Sequence, residues 1–255
     1  MFAGILFDLG DTLITHTQHQ LHDGSFESHR RVMMNDLCHY LQNADLLGDV
    51  SSTHFAHVFR DHLIAYTQQR QTSFLEKSTR YILAQTFAEL NLPNLTDTQY
   101  GQAMQAFFSS NEAQWVLLPG THATLQALQA KQFRLGLVSN AMDAGNVQRL
   151  LARFDLTHYF NPIVISATVG VRKPNPAIFE PVFAAWPLLA TQIALVGDTL
   201  GADVLGAQQA GITSVWITTQ ATRPDNLQHL LHIVPDYTIN TLPDLIPILD
   251  ASTSP

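Results

Sequence analysis

The feature that most constrains the fold is an alternation that begins at Pro119. From there, short apolar runs trade places with amphipathic ones. "THATLQALQAKQ" has helical periodicity, and "FRLGLVSN" is an apolar strand. "AGNVQRLLARF" is helical, "PIVIS" a strand, "PAIFEPVFAAW" helical and "QIALVGD" a strand. "ADVLGAQQAG" is helical and "TSVWIT" a strand; a short "DYTIN" strand and the helix "LPDLIPIL" follow. Strands apolar along their whole length are buried on both faces, and helices between them make the sheet parallel. One further strand, residues 3–8, is cut off from this series. Between them, residues 25 to about 113 read as helices, in "SFESHRRVMMNDLCHYLQ", "STHFAHVFRDHLIAYTQQR", "FLEKSTRYILAQTFAEL" and "DTQYGQAMQAFFSS". Their apolar residues recur at three and four, and breaks such as "NLPN" separate them.

An α/β sheet whose first strand is followed by so long a helical insert predicts two bodies. The expected division is a parallel-sheet core of residues 1–15 plus 116–255, and an all-helical cap of residues 16–115 set over the active face. Ligands of such sheets bind at the carboxyl ends of the strands, where the strand order reverses.

Composition narrows the partners. The net charge of −8 argues against nucleic acid, whose phosphates need a basic face. It does not exclude a small phosphorylated substrate, because a metal ion can supply positive charge locally. The single cysteine, Cys38, precludes an intrachain disulfide and a cysteine-based zinc site. The first apolar segment carries Asp8 and Asp11 and no basic lead, unlike a signal peptide. No apolar run approaches the ~18 residues of a membrane span. The expectation is a soluble, cytoplasmic protein with neither nucleic-acid nor membrane partner. Oligomeric state is not legible.

The strand ends carry the chemistry. Asp8 follows "GILF". Ser139 and Asn140 follow "LGLV". Lys173, in "VRKPNP", follows "IVIS". Asp198 follows "IALVG", with Asp203 five residues on. Adjacent strands lie ~4.8 Å apart, so these groups can converge. Asp8 and Asp198 are hard oxygen ligands suited to Mg²⁺. A carboxylate can also attack phosphorus and form an aspartyl-phosphate. Ser139 can donate to a phosphoryl oxygen, as can amides opening a helix near Asn140 and Ala141. Lys173 is a cation for the transferred group, and Pro174 keeps it on a loop. The alternative for each is a residue that merely ends a strand or caps a helix.

With "FDLGDTL", "LVSN", "RKPNP" and "VGDTLGADVLGAQQAG" in this order, the chain resembles the haloacid dehalogenase-like hydrolases, mainly Mg²⁺-dependent phosphatases. The resemblance spans residues 2 to about 218. It implies a Rossmann-like three-layer core with an inserted helical cap. It implies Asp8 as nucleophile, Ser139 and Lys173 as phosphate binders, with Asn140 beside them, and Asp198 as metal ligand. Asp203 would be a metal ligand or a supporting acid, and the carbonyl of Gly10 a further ligand. A metal-free 2-haloacid dehalogenase is the alternative within the superfamily, although Gly197 and Asp198 retain the pair that such enzymes lack. A third reading is a binding module with a vestigial site.

The chain departs from the family pattern in its first motif, which usually reads Asp, any residue, Asp, Gly, Thr. The second Asp, the family's general acid and base, is here Gly10, and Asp11 occupies the glycine position. Three consequences are open: Asp11 takes over the role, substrates bring good leaving groups, or turnover is weak. In the plainer reading Asp11 caps a turn and Gly10 allows a tight bend. Histidines 16, 19 and 22 are weak metal candidates, since their spacing fits no helical face. Met33, Met34, Phe107, Phe108 and Trp115 read as cap core, Arg30 and Arg31 as a solvated face, and Asp143 as a first-turn acid favouring a helix dipole.

Overall fold

The structure is a computed structural model that describes residues 2–17 and 25–251. Among the described residues, eight strands form: β1 (Gly4–Phe7), β2 (Ile14–His16), β3 (Trp115–Leu117), β4 (Arg134–Ser139), β5 (Ile163–Ile165), β6 (Ile193–Gly197), β7 (Thr213–Ile217) and β8 (Tyr237–Ile239). Six build one parallel sheet in the order β5-β4-β1-β6-β7-β8. β1 therefore lies at the centre, with Gly4 level with Arg134 on one side and Ile193 on the other. The chain runs outward from β1 through β4 to β5, then returns across β1 to β6. That reversal opens a crevice at the carboxyl end of β1.

Alternation along β1 divides the core. Ile5 and Phe7 join Leu125, Leu128, Leu150 and Leu151, from the helices α5 (Thr121–Ala130) and α6 (Ala144–Arg153), on one face. Leu6 joins Ile178, Phe179, Val182 and Trp186 on the other. This second face is built around the Trp186 indole, which donates to the Asn161 carbonyl at 2.8 Å. Gly4 and Gly136 leave room for it: a Cβ at Gly136 would stand 2.8 Å from Leu6 and 3.1 Å from the indole.

The helical insert comprises α1 (Ser25–Asn43), α2 (Ser52–Ser73), α3 (Thr79–Glu89) and α4 (Asp97–Glu112). Side-chain caps from Ser51, Ser78 and Thr96 start the last three. The four helices enclose an apolar cluster of their own, including Leu37, Phe55, Phe59, Phe87 and Phe107, with Met33 inside and Met34 and Phe108 against it. Cys38 is buried there too, which pushes its thiol up to about 11. Arg30 and Arg31 are exposed. None of the described helices is long and apolar enough to cross a membrane.

Two findings differ from the sequence expectation. The insert is joined to the sheet by a short antiparallel ribbon, β2 with β3, in which Ile14 faces Leu117 and His16 faces Trp115. These two strands lie outside the strand–helix alternation, so nothing marks them as it marks the equally short β5 and β8. Trp115 packs against the sheet's core, not the insert's, and its ring lies edge-on to His16. Gly136→Ala should lower stability by about 1–3 kcal/mol through overpacking. Urea unfolding followed by linear extrapolation measures it.

Candidate active site

The strand-end groups come together around one buried ammonium. Lys173 Nζ lies 2.7 Å from Asp8 Oδ1 and 2.7 Å from Asp203 Oδ1, and donates to the Val138 carbonyl at 2.6 Å. Asp8 follows β1, and its amide donates to Val196 of β6. Asp198 follows β6. Its carbonyl is fixed by the Trp216 indole at 2.8 Å and by Asn226 Nδ2 at 2.9 Å. Asp203 sits on the wide turn Leu200–Val204 and accepts from the Thr199 amide at 2.9 Å. Gly197 is demanded by close approach, since a Cβ there would stand 2.3 Å from Asp203 Cγ. Ser139 ends β4 and is buried. Asn140 turns its amide to the Lys173 backbone, accepting from its N–H at 2.8 Å and donating to its carbonyl at 3.0 Å. That side chain is thus committed to Lys173.

Electrostatics follow from burial. Burial pushes Asp8 up to about 6, with Lys173 pulling it down and Asp203 adding to the rise. Asp198 is raised well above the carboxylate range by burial, then by Asp203, Asp8 and Asp11, with Arg223 opposing. Burial alone would lower Lys173, but Asp203 and Asp8 outweigh it and hold the ammonium charged. Carboxylate oxygens of Asp8, Asp198 and Asp203 lie within 4.8 Å of one another. Counting Asp11, four carboxylates face two cations, Lys173 and Arg223. With all four ionised, an excess of two negative charges among hard oxygen donors fits one divalent cation, and the rise of Asp8 and Asp198 reflects their burial with that charge unmet.

The opening motif has an unexpected local structure. Asp11, not Gly10, takes the left-handed backbone, with φ 56°. That conformation explains a glycine at this point of the family pattern, and aspartate is among the few other residues that tolerate it. Both carboxylate oxygens of Asp11 are engaged. Oδ1 accepts from Thr15 at 2.8 Å and Gln220 at 3.3 Å, and Oδ2 from Arg223 at 3.1 Å. Its carbonyl accepts from Thr219 at 2.6 Å. Gly10 serves space, not a bend: a Cβ there would meet the Trp115 ring at 3.2 Å. Trp115 is held by a bond from its Nε1 to Asn111 at 3.0 Å.

Residues 218–227 were not anticipated at the site. This segment follows β7 and supplies Thr219, Gln220, Arg223 and Asn226. Arg223 Nη1 also lies 4.0 Å from Asp198 Oδ2, and its side chain, 37% exposed, reaches solvent. No motif flagged these residues, because contacts from a loop carry no periodicity. Asp143 is the N-cap of α6, accepting from Asn146 N. His16 is buried in β2 beside Asn111, while His19 and His22 fall outside the described residues. Among the described residues, the aspartate trio is the only cluster of three or more acidic, His or Cys ligands. Lys173→Met strands two buried carboxylates and should cost about 3–5 kcal/mol. Urea unfolding in metal-free buffer tests this, and a loss under about 1 kcal/mol would contradict the ion-pair reading.

The family model of haloacid dehalogenase-like hydrolases matches residues 48–217. The glyceraldehyde 3-phosphate phosphatase of Pyrococcus furiosus is 29% identical over 133 residues, 52% of this chain and 54% of that protein. The chain spans about half the length of the glyceraldehyde 3-phosphate phosphatases that it matches. Two solved structures share the fold at 23% identity. They are a HAD phosphatase from Thermococcus onnurineus (TM-score 0.61, covering 98% of each chain) and a 2-haloacid dehalogenase from Pseudomonas syringae pv. Tomato DC3000 (TM-score 0.66, covering 99% of this chain and 100% of that one). With its four motifs in order and the family model matched across two thirds of its length, the chain belongs to the haloacid dehalogenase-like hydrolases.

Proposed function

We propose that this hydrolase is a Mg²⁺-dependent phosphatase of small phosphorylated metabolites, working through an aspartyl-phosphate at Asp8. The observation that carries the reading is the buried trio Asp8, Asp198 and Asp203, bridged by Lys173 yet still two negative charges in excess. The phosphatase names among its relatives support it. Asp8, Asp198, Asp203 and the Gly10 carbonyl would hold Mg²⁺, which supplies a Lewis acid for the phosphoryl oxygens.

The chain's own residues then do the following. An Asp8 carboxylate oxygen forms a bond to phosphorus as the bond to the departing oxygen breaks. Lys173 holds that carboxylate at 2.7 Å and offsets charge on the transferred group. Ser139, at the end of β4, donates its hydroxyl to a phosphoryl oxygen. Asn140 acts indirectly, by fixing the Lys173 backbone. Water next attacks phosphorus, releasing inorganic phosphate and restoring Asp8.

The proton for the departing oxygen is the distinctive problem. With Gly10 bare beneath Trp115 and Asp11 engaged by Thr15, Gln220 and Arg223, Asp11 serves to position the 218–227 segment. The favoured substrates are those whose leaving oxygen departs without a proton, such as acyl phosphates or acidic aryl phosphates. The alternative assigns Asp11 itself as acid and base.

Phosphate release from aryl phosphates, with Mg²⁺ and with EDTA, tests the proposal. Mg²⁺-dependent release that Asp8→Asn abolishes is expected, and release insensitive to both sinks it. Across an aryl series, turnover should fall steeply as the leaving-group pKa rises. Asp11→Asn should reduce turnover less than about tenfold, whereas losing a true general acid costs ~10²–10⁴. Gly10→Asp should favour alkyl phosphates, once Trp115 yields a few tenths of an ångström. The bare position 10 also suits a metal-free haloacid dehalogenase, so halide release from a 2-haloacid in EDTA is the competing assay.

A further inference from the structure

A second buried carboxylate lies outside this site, where the insert meets the sheet. Glu76, in the loop between α2 and α3, has a wholly buried side chain. Its Oε1 accepts a short hydrogen bond from the Tyr66 hydroxyl and lies 3.6 Å from Arg70 Nη1. Its Oε2 accepts from the Ser166 hydroxyl at 2.9 Å and lies 3.6 Å from Arg172 Nη1. Around it the two bodies share backbone bonds. The Glu76 amide donates to Gly170 at 2.8 Å and the Arg172 amide to Phe74 at 3.0 Å, flanking a bridge between Leu75 and Val171.

The contacts close into a ring. From Glu76 the path runs to Ser166, whose Oγ accepts from the Ala141 amide at 2.9 Å. Ala141 follows Asn140, whose side chain grips the Lys173 backbone from both sides. Lys173 follows Arg172, which returns to Glu76. Ser139 and Lys173, the two groups that face the transferred phosphoryl in the reading above, stand at the end of β4 and on the loop after β5, which this ring ties together. Among the described residues of the ring, Lys173 is the one that bonds the carboxylate trio directly, so the rest of the path works by geometry.

We infer that Glu76 is a positioning residue through which the seated insert fixes Ser139 and Lys173 relative to each other. The inference rests on the phosphatase reading for its kinetic consequence, but not for its structural one. One carboxylate between two guanidiniums, bonded by two hydroxyls, is rigid as long as all four partners are present. Its amide cannot accept with both ends, so Glu76→Gln keeps the shape while breaking one side of the ring and leaving the arginines without their counter-charge. Catalysis is sensitive to such slack, because misplacement on the order of 1 Å can cost up to about a hundredfold.

The test uses the full chain and three variants: Glu76→Gln, Ser166→Ala and Thr79→Val. Thr79 bonds the same junction through the Met142 carbonyl but is not part of the ring, so its variant reports a loosened junction alone. Hydrogen exchange should quicken at residues 140–142 and 170–173 in the first two variants, with β1 and β6 unchanged, and should stay near wild type in Thr79→Val. With an aryl phosphate and Mg²⁺, kcat should fall on the order of ten- to a hundredfold in the first two, with KM moving far less. The double variant Glu76→Gln with Ser166→Ala should be little worse than either single one. Unchanged exchange in both loops, or equal effects from Thr79→Val, overturns the inference. If wild type released no phosphate, the phosphatase reading would fall, and exchange alone would still decide for or against the ring.

Discussion

The structure turns on the contact between Lys173 and two aspartates. A buried ammonium requires charged partners, and a pair of buried carboxylates requires a cation. Asp8 comes from β1, Asp203 from the turn after β6 and Lys173 from the loop after β5. One ion therefore draws three separated parts of the chain to a single point. The ammonium also donates to Val138 of β4, which ties a fourth element to the same centre. Gly197 is bare because Asp203 must lie against it, and Asn140 faces inward because the Lys173 backbone must be held.

Lys173 leaves this centre short of positive charge. Its single charge meets Asp8 and Asp203, while an Asp198 oxygen stands within 4.8 Å of both carboxylates. Arg223 cannot make up the difference, since its nearest carboxylate is Asp11 at 3.1 Å and Asp198 is 4.0 Å away. This imbalance, rather than the fold, separates the phosphatase reading from the dehalogenase one. Solved structures with phosphatase and dehalogenase names share the fold about equally well.

Much of this was legible in the sequence, and the reasons are local. Continuous apolar runs marked the parallel strands, and polar residues at their ends marked Asp8, Ser139, Lys173 and Asp198. Helical periodicity marked α1 to α4. The limits were equally physical. The short strands β2 and β3 stand at the ends of the helical insert, outside the alternation that reveals the equally short β5 and β8. The partner of Asp11 lies 212 residues away, in a loop, and nothing in "FDLGDTL" announces it. Glu76 sits in a loop where a lone acid reads as solvated, and only the packing of the insert on the sheet shows it buried. The bend falls at Asp11, not at Gly10, which makes room for an indole.

The central position of β1 has a consequence for how the chain comes off the ribosome. β1 is made before both of its neighbours, since β4 and β6 lie about 130 and 190 residues further on. At 5–20 residues per second, β1 waits roughly 7–26 s for its first partner. During that interval both of its edges are open, the state in which strands join wrong neighbours. The insert is synthesised in the same window and encloses a core of its own. A strand with Asp8 at its end is a poorer template for stray pairing than a purely apolar one. The carboxylate proposed as nucleophile thus also guards the central strand while it waits for its neighbours.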